Sequence, residues 1–272
     1  MRRLLTFACE GALLGASLDG AAGNRGVLIV TGGAQTRIGS HRMFERLAMS
    51  LADRGFPCFR FDRRGVGDSA GEDIGFRGNA AEIAAAVAAF RQACPQLESV
   101  IGFGLCDGAT SLAFFGARAG VSGLVLVNPW FVEAAAGEPA AAAIQHHYRR
   151  QLLSADGWKR LLTGSVSYSK LFKGILKIVG GRRADGLAAE AAEALASAGR
   201  PVSLILARDD ATAIAAADVW KSAAFDKRVR HLPQRVRTIE TDSHTFARPG
   251  DAAALLDACL DALRWMPGSG GG

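Results

Sequence analysis

The sequence of 272 residues predicts a doubly wound α/β fold, in which helices cover both faces of a mostly parallel sheet and a helical cap is inserted late in the chain. Three observations predict it. Compact apolar runs suited to buried strands alternate with stretches of about 10 to 15 residues at helical spacing. Between residues 131 and 199 that alternation gives way to Ala-rich, Trp/Tyr-containing and Lys/Arg-rich helical patterns with no convincing strand, and it then resumes. With 49% hydrophobic residues the chain can bury one large core, so a single domain is expected.

In chain order, residues 4 to 30 hold apolar stretches separated by Asp19-Gly20 and Gly23-Asn24, then the run Val27-Leu28-Ile29-Val30, which suggests a hairpin leading to a buried strand. Met43, Phe44, Leu47, Ala48 and Leu51 fall at helical spacing over residues 40 to 54, and Gly55 supplies a stop. Phe56 to Phe61 reads as a strand, 79 to 93 as an alanine-rich helix, Val100 to Phe103 as a strand, 107 to 119 as a helix and Gly123 to Val127 as a strand. After the expected cap come a strand at Val202 to Leu206, a helix near 213 to 224, a strand at Val236 to Glu240 and a helix over 251 to 265. The core is thus expected at 1–130 and 200–266, the cap at 131–199, and a flexible Gly/Ser tail at 267–272.

A net charge of +6 with basic residues scattered rather than blocked argues against nucleic acid, since neither a zinc-finger spacing nor an RNA-binding signature accompanies it. The charge does favour an anionic small-molecule substrate. Five dispersed cysteines without a CxxC pair speak against a disulfide framework or a structural zinc, so no metal and a reducing cytoplasm are expected. The opening Met1-Arg2-Arg3-Leu4-Leu5 imitates a signal peptide, but Glu10 interrupts it and no cleavage site follows, so it reads as the first strand. No apolar run reaches the roughly 18 residues of a membrane span. The turn Asp62-Arg63-Arg64-Gly65-Val66-Gly67-Asp68-Ser69 lacks the P-loop lysine, and no G-x-G-x-x-G opens a helix, so no cofactor is expected.

Gly104-Leu105-Cys106-Asp107-Gly108 follows an apolar strand and precedes a helical pattern, which is G-x-C-x-G in a strand-turn-helix setting. Such a turn would lift the Cys106 sulfur above the sheet's carboxyl edge at a helix N-terminus that favours a thiolate, while the Asp107 carboxylate opposes it. His244 alone among the five histidines follows the last strand, where a loop can carry an imidazole to the sheet edge. Past the strand Val202 to Leu206, Asp209 and Asp210 are both candidates to orient it, with an N-cap role open to either. The Asp107 amide and that of Gly33 or Ala34 are the expected oxyanion donors.

The elbow and its partners in this order resemble the α/β-hydrolase fold, a resemblance that favours Asp210 over Asp209. Within it the chain is most similar to the exosortase A system-associated hydrolase 1 family, on Gly32-Gly33, Arg37-Ile38-Gly39-Ser40-His41-Arg42, Asp62-Arg63-Arg64-Gly65, Gly104-Leu105-Cys106-Asp107-Gly108 and Asp210-Ala211-Thr212-Ala213. The resemblance implies a cytoplasmic hydrolase without metal or organic cofactor. Arg37, His41 and, in the cap, Arg149 are candidate substrate-binding residues. The expected reaction is cleavage of an ester or thioester through a Cys-His-Asp triad and an acyl-enzyme. An acyltransferase using the same triad, or a binding module of an exopolysaccharide system, are the other readings.

Overall fold

The computed structural model describes residues 1–132 and 186–267. Eight strands form one sheet in the order β1-β2-β4-β3-β5-β6-β7-β8. The strands are β1 (Arg2–Cys9), β2 (Ala12–Asp19), β3 (Arg25–Val30), β4 (Cys58–Phe61), β5 (Ser99–Leu105), β6 (Gly123–Val127), β7 (Val202–Ala207) and β8 (Gln234–Ile239). β1 and β2 are antiparallel, as are β2 and β4, and every pairing from β4 to β8 is parallel. The hairpin between β1 and β2 closes at Glu10 and Gly11, both with positive φ (45° and 82°). Two such residues twist a two-residue loop to match the strands, so the break in apolar sequence at Glu10 marks the turn itself.

The helices are α1 (Met43–Ala52), α2 (Ala80–Ala93), α3 (Asp107–Phe115), α4 (Leu187–Ala198), α5 (Ala211–Lys221), α6 (Ala223–Val229) and α7 (Asp251–Trp265). α1 starts later than the spacing suggests, because Ser40–Arg42 form a 3-10 turn with His41 and Arg42 at left-handed φ. The helix expected near 213 to 224 is instead two. Extended Ser222 (φ −63°, ψ 140°) ends α5, and its Oγ accepts from the Phe225 amide to start α6.

Burial follows position in the sheet. All residues of the central β5 and β6 are buried, as expected for parallel strands covered on both faces, whereas the edge strand β1 is largely exposed on one side. Phe131, Trp220 and Phe225 cluster beyond β6, with Trp220 and Phe225 centroids 5.1 Å apart. The expected cap, 131–199, lies outside the described residues except at its two ends. At the later end, α4 places Ala191, Ala192 and Leu195 in the hydrophobic core. The tail beyond Pro267 also lies outside the described residues.

Early in the chain the Asp62 turn is held by its own charges. Asp62 accepts from the Arg37 amide at 2.5 Å, from the Asp68 amide at 3.1 Å and from the Arg37 guanidinium, and its carbonyl accepts from Ser69 Oγ at 2.7 Å. A fully buried carboxylate with this many donors is a loop organiser, since removing any partner would leave a buried charge uncompensated.

Candidate active site

Cys106 sits where β5 turns into α3, with φ 59° and ψ −127°. This region is costly for a residue with a Cβ, and such strain persists only where the surroundings enforce it. They do so through the backbone. The Cys106 amide donates to the Val127 carbonyl at 3.0 Å, its carbonyl accepts from the Trp130 amide at 3.2 Å, and Thr110 Oγ1 donates to the Trp130 carbonyl at 2.7 Å. The flanking glycines are required by contact. A Cβ on Gly104 would lie 2.6 Å from the Ala109 nitrogen, and one on Gly108 would lie 2.5 Å from the Val30 carbonyl oxygen. Of the five free cysteines, Cys106 is the partly exposed one and the other four are buried. Burial pushes the Cys259 and Cys58 thiols up, Cys259 beyond the range of ordinary titration.

Asp210 follows β7 and has two partners for one oxygen. Its Oδ2 accepts from the Ala213 amide at 2.9 Å, capping α5, and lies 3.0 Å from His244 Nδ1. The cap and the histidine contact therefore coexist, and the cap fixes the carboxylate that faces the imidazole. Asp209 is exposed, and its amide donates to the Thr241 carbonyl at 3.1 Å.

His244 lies in the loop after β8, its Nδ1 3.0 Å from Asp210 Oδ2, and Cys106 is near enough to act on its charge. Burial disfavours its charge, but the Asp210 hydrogen bond, the neighbouring Cys106 and the charges of both outweigh it and raise His244 to about 10. The loop is braced from below: Thr241 Oγ1 donates to Asp251 Oδ2 at 2.7 Å and accepts from the Ser243 amide at 3.1 Å.

Sequence reasoning missed Asn128. Fully buried at the end of β6 with φ 41°, it donates through Nδ2 to the His244 carbonyl at 3.0 Å and accepts through Oδ1 from the Ala207 amide at 2.9 Å. One side chain thus ties the elbow's neighbouring strand to the histidine loop and to the strand that carries Asp210. The available signal was slight, an Asn-Pro pair directly after an apolar strand.

The remaining expected site residues divide. Gly33 lies beside the elbow, its amide donating to Asp107 Oδ1 at 2.5 Å, and Ala34 follows it in the same turn. The Arg37 guanidinium is engaged by Asp62, by Asp68 at 2.7 Å and by Ser17 at 3.1 Å. His41 is exposed and lines a hollow of about 430 Å³ with Arg46, Thr245 and Phe246, beside the histidine loop. Arg149 lies outside the described residues. Among the described residues no group of three or more His, Cys, Asp or Glu side chains could hold a metal ion, and no helix is long and apolar enough to cross a membrane.

Solved structures share this architecture. An esterase of Pyrococcus furiosus aligns with a TM-score of 0.67 and 16% identity over 98% of this chain and 92% of its own. DcsB, solved in complex with its substrate analogue, aligns with a TM-score of 0.66 and 17% identity over 98% and 100%. The thioesterase domain from the curacin biosynthetic pathway aligns with a TM-score of 0.59 and 15% identity over 96% and 99%. No curated protein matches the sequence significantly. The sequence does match the alpha/beta hydrolase family over residues 27–258, most of its length and a span that includes Cys106, Asp210 and His244, and the chain belongs to that family.

Proposed function

We propose that the protein is a hydrolase that cleaves carboxylic esters or thioesters through Cys106, His244 and Asp210. The observation that carries this reading is the convergence of the strained Cys106 with His244, whose Nδ1 lies 3.0 Å from Asp210. His244 holds the proton of the Cys106–His244 pair, the sulfur attacks the acyl carbon, and the carbonyl electron pair moves onto oxygen. Collapse expels the alcohol or thiol, which takes the proton from His244, and leaves a thioester acyl-enzyme. Water then repeats the sequence with His244 as base and releases the acid. Asp210 holds the imidazole tautomer and offsets its charge. The Asp107 amide and that of Gly33 or Ala34 face the oxyanion.

The esterase and thioesterase names among the structural neighbours agree with this chemistry. The motif resemblance to exosortase-associated hydrolases, and the reduced state expected of five free cysteines, suggest a cytoplasmic role beside polysaccharide export. The net charge of +6 favours an anionic acyl group. Arg37 and His41 remain candidate substrate contacts, and His41 is the better placed because it borders the histidine loop.

The test is hydrolysis of a panel of p-nitrophenyl esters and acyl thioesters by wild type and Cys106→Ala. The substitution should lower kcat by about 10³-fold or more with an unchanged circular dichroism spectrum. Activity within a few-fold of wild type would remove Cys106 from the mechanism. Ester or amide products in place of free acid when alcohols or amines, respectively, are added would favour the acyltransferase reading.

A further inference from the structure

A carboxyl group stands where the mechanism needs an oxyanion. Asp107 Oδ1 accepts from the Gly33 amide at 2.5 Å. The Gly33 amide is one of the two candidates for the second donor to the developing charge, beside the Asp107 amide. A Cβ built on Gly32 would lie 2.4 Å from the same Oδ1 and 3.2 Å from Cys106 Cβ, so the carboxyl and the nucleophile flank one glycine.

Among the described residues, the charged groups around it come from three elements. The loop after β4 brings Arg63, 2% exposed, whose guanidinium donates to the Gly33 carbonyl and lies 3.2 Å from Asp73 Oδ2. Among the described residues its Nε and Nη1 find no hydrogen-bond partner. The elbow brings Cys106, and the loop after β8 brings His244 near it. Burial pushes the Asp107 carboxyl above its ordinary range, Arg63 and the Gly33 amide pull it back, and Asp73 pushes it further.

We propose that Asp107 governs access to the oxyanion site: its carboxylate competes with the substrate oxygen for the Gly33 amide, and acyl transfer runs through the form in which this carboxyl is neutral. The inference rests on the acyl-transfer reading above. Two anions cannot share one amide donor, whereas a neutral carboxylic acid yields the amide or turns its own O–H toward the oxyanion. In the attack step the sulfur–carbon bond forms, the carbonyl pair moves to oxygen, and the Asp107 proton stays on its carboxyl.

The experiment compares wild type with Asp107→Asn between pH 5 and pH 9. Two rates are measured, kcat/KM for a neutral p-nitrophenyl ester and alkylation of Cys106 by iodoacetamide, which depends on thiolate supply but forms no oxyanion. Their ratio should fall with rising pH in wild type and stay flat in Asp107→Asn. The variant should therefore exceed wild type several-fold or more at pH 8, with the excess shrinking as the pH falls. A ratio in the variant equal to or below wild type at pH 8 would overturn the proposal. If neither protein hydrolyses esters while Cys106 still alkylates, the hydrolase reading fails separately, and the Asp107 claim is then read from butanal. Butanal adds to the thiol as a hemithioacetal whose oxygen enters the same site, and it should protect Cys106 at about tenfold lower concentration in the variant at pH 8. Equal protection would again overturn it. Asp107→Ser replaces Asp107→Asn in each arm should the latter fail to fold.

Discussion

Asp210 shows how one side chain can satisfy both a structural and a chemical expectation. Its Oδ2 caps α5 and faces His244, so Asp210→Asn keeps a competent cap while removing the charge that holds the imidazolium. His244 is raised to about 10 from an ordinary value of about 6.5. A raised folded-state value means that the charged form is bound more favourably in the folded protein. The resulting stability is fully present below pH about 6.5 and is lost as pH rises through about 10. The Tm difference between wild type and Asp210→Asn should accordingly be largest near pH 6 and should close toward pH 10. A pH-independent difference would mean that the contact carries no charge. In the same protein kcat should drop by about 10²-fold or more, while Asp209→Asn, an exposed site, should remain near wild type. The placement of Cys106, His244 and the Asp209–Asp210 pair directly after strands was legible in the sequence, whereas the choice of Asp210 as the partner of His244 Nδ1 came from the fold. Asn128 was not legible, since its role lies in two backbone hydrogen bonds that only the folded strand ends bring together.

At the scale of elements, the β5–α3 elbow was readable from five residues because its glycines answer to specific atoms. Gly104→Ala should destabilise by about 1–3 kcal/mol and slow Cys106 alkylation, since its Cβ would meet the backbone of Ala109. Gly102→Ala is the control within the same strand, because its Cβ would meet the movable Leu112 side chain at 2.8 Å. Urea denaturation of both proteins measures the contrast, and an equal or larger loss at Gly102 would contradict this account of the elbow. Other elements were less legible. The β1–β2 turn was obscured because Glu10 is not a typical turn residue. The division of α5 from α6 depends on one Ser222 hydroxyl amid an otherwise continuous helical pattern. The left-handed His41 and Arg42 likewise carry no composition signal, and they shorten α1 at its start.

For the whole molecule, alternating strands and helices indicated the parallel sheet correctly, and the sheet in turn places the elbow, the Asp210 turn and the His244 loop at the carboxyl ends of β5, β7 and β8. That convergence follows from topology: parallel strands send all three segments to one edge, although nearly 140 residues separate Cys106 from His244. Strand order itself was not legible, since apolar runs do not state their neighbours. The central claim is a covalent acyl-sulfur intermediate on Cys106. The most direct measurement is peptide mapping by mass spectrometry after acid quenching of the protein with a short-chain p-nitrophenyl ester in the first turnovers. The account predicts one acyl group per chain, on the peptide that carries Cys106, absent from Cys106→Ala and released by neutral hydroxylamine. Rapid hydrolysis with no acyl group on that peptide, or with the acyl group on another residue, would contradict it.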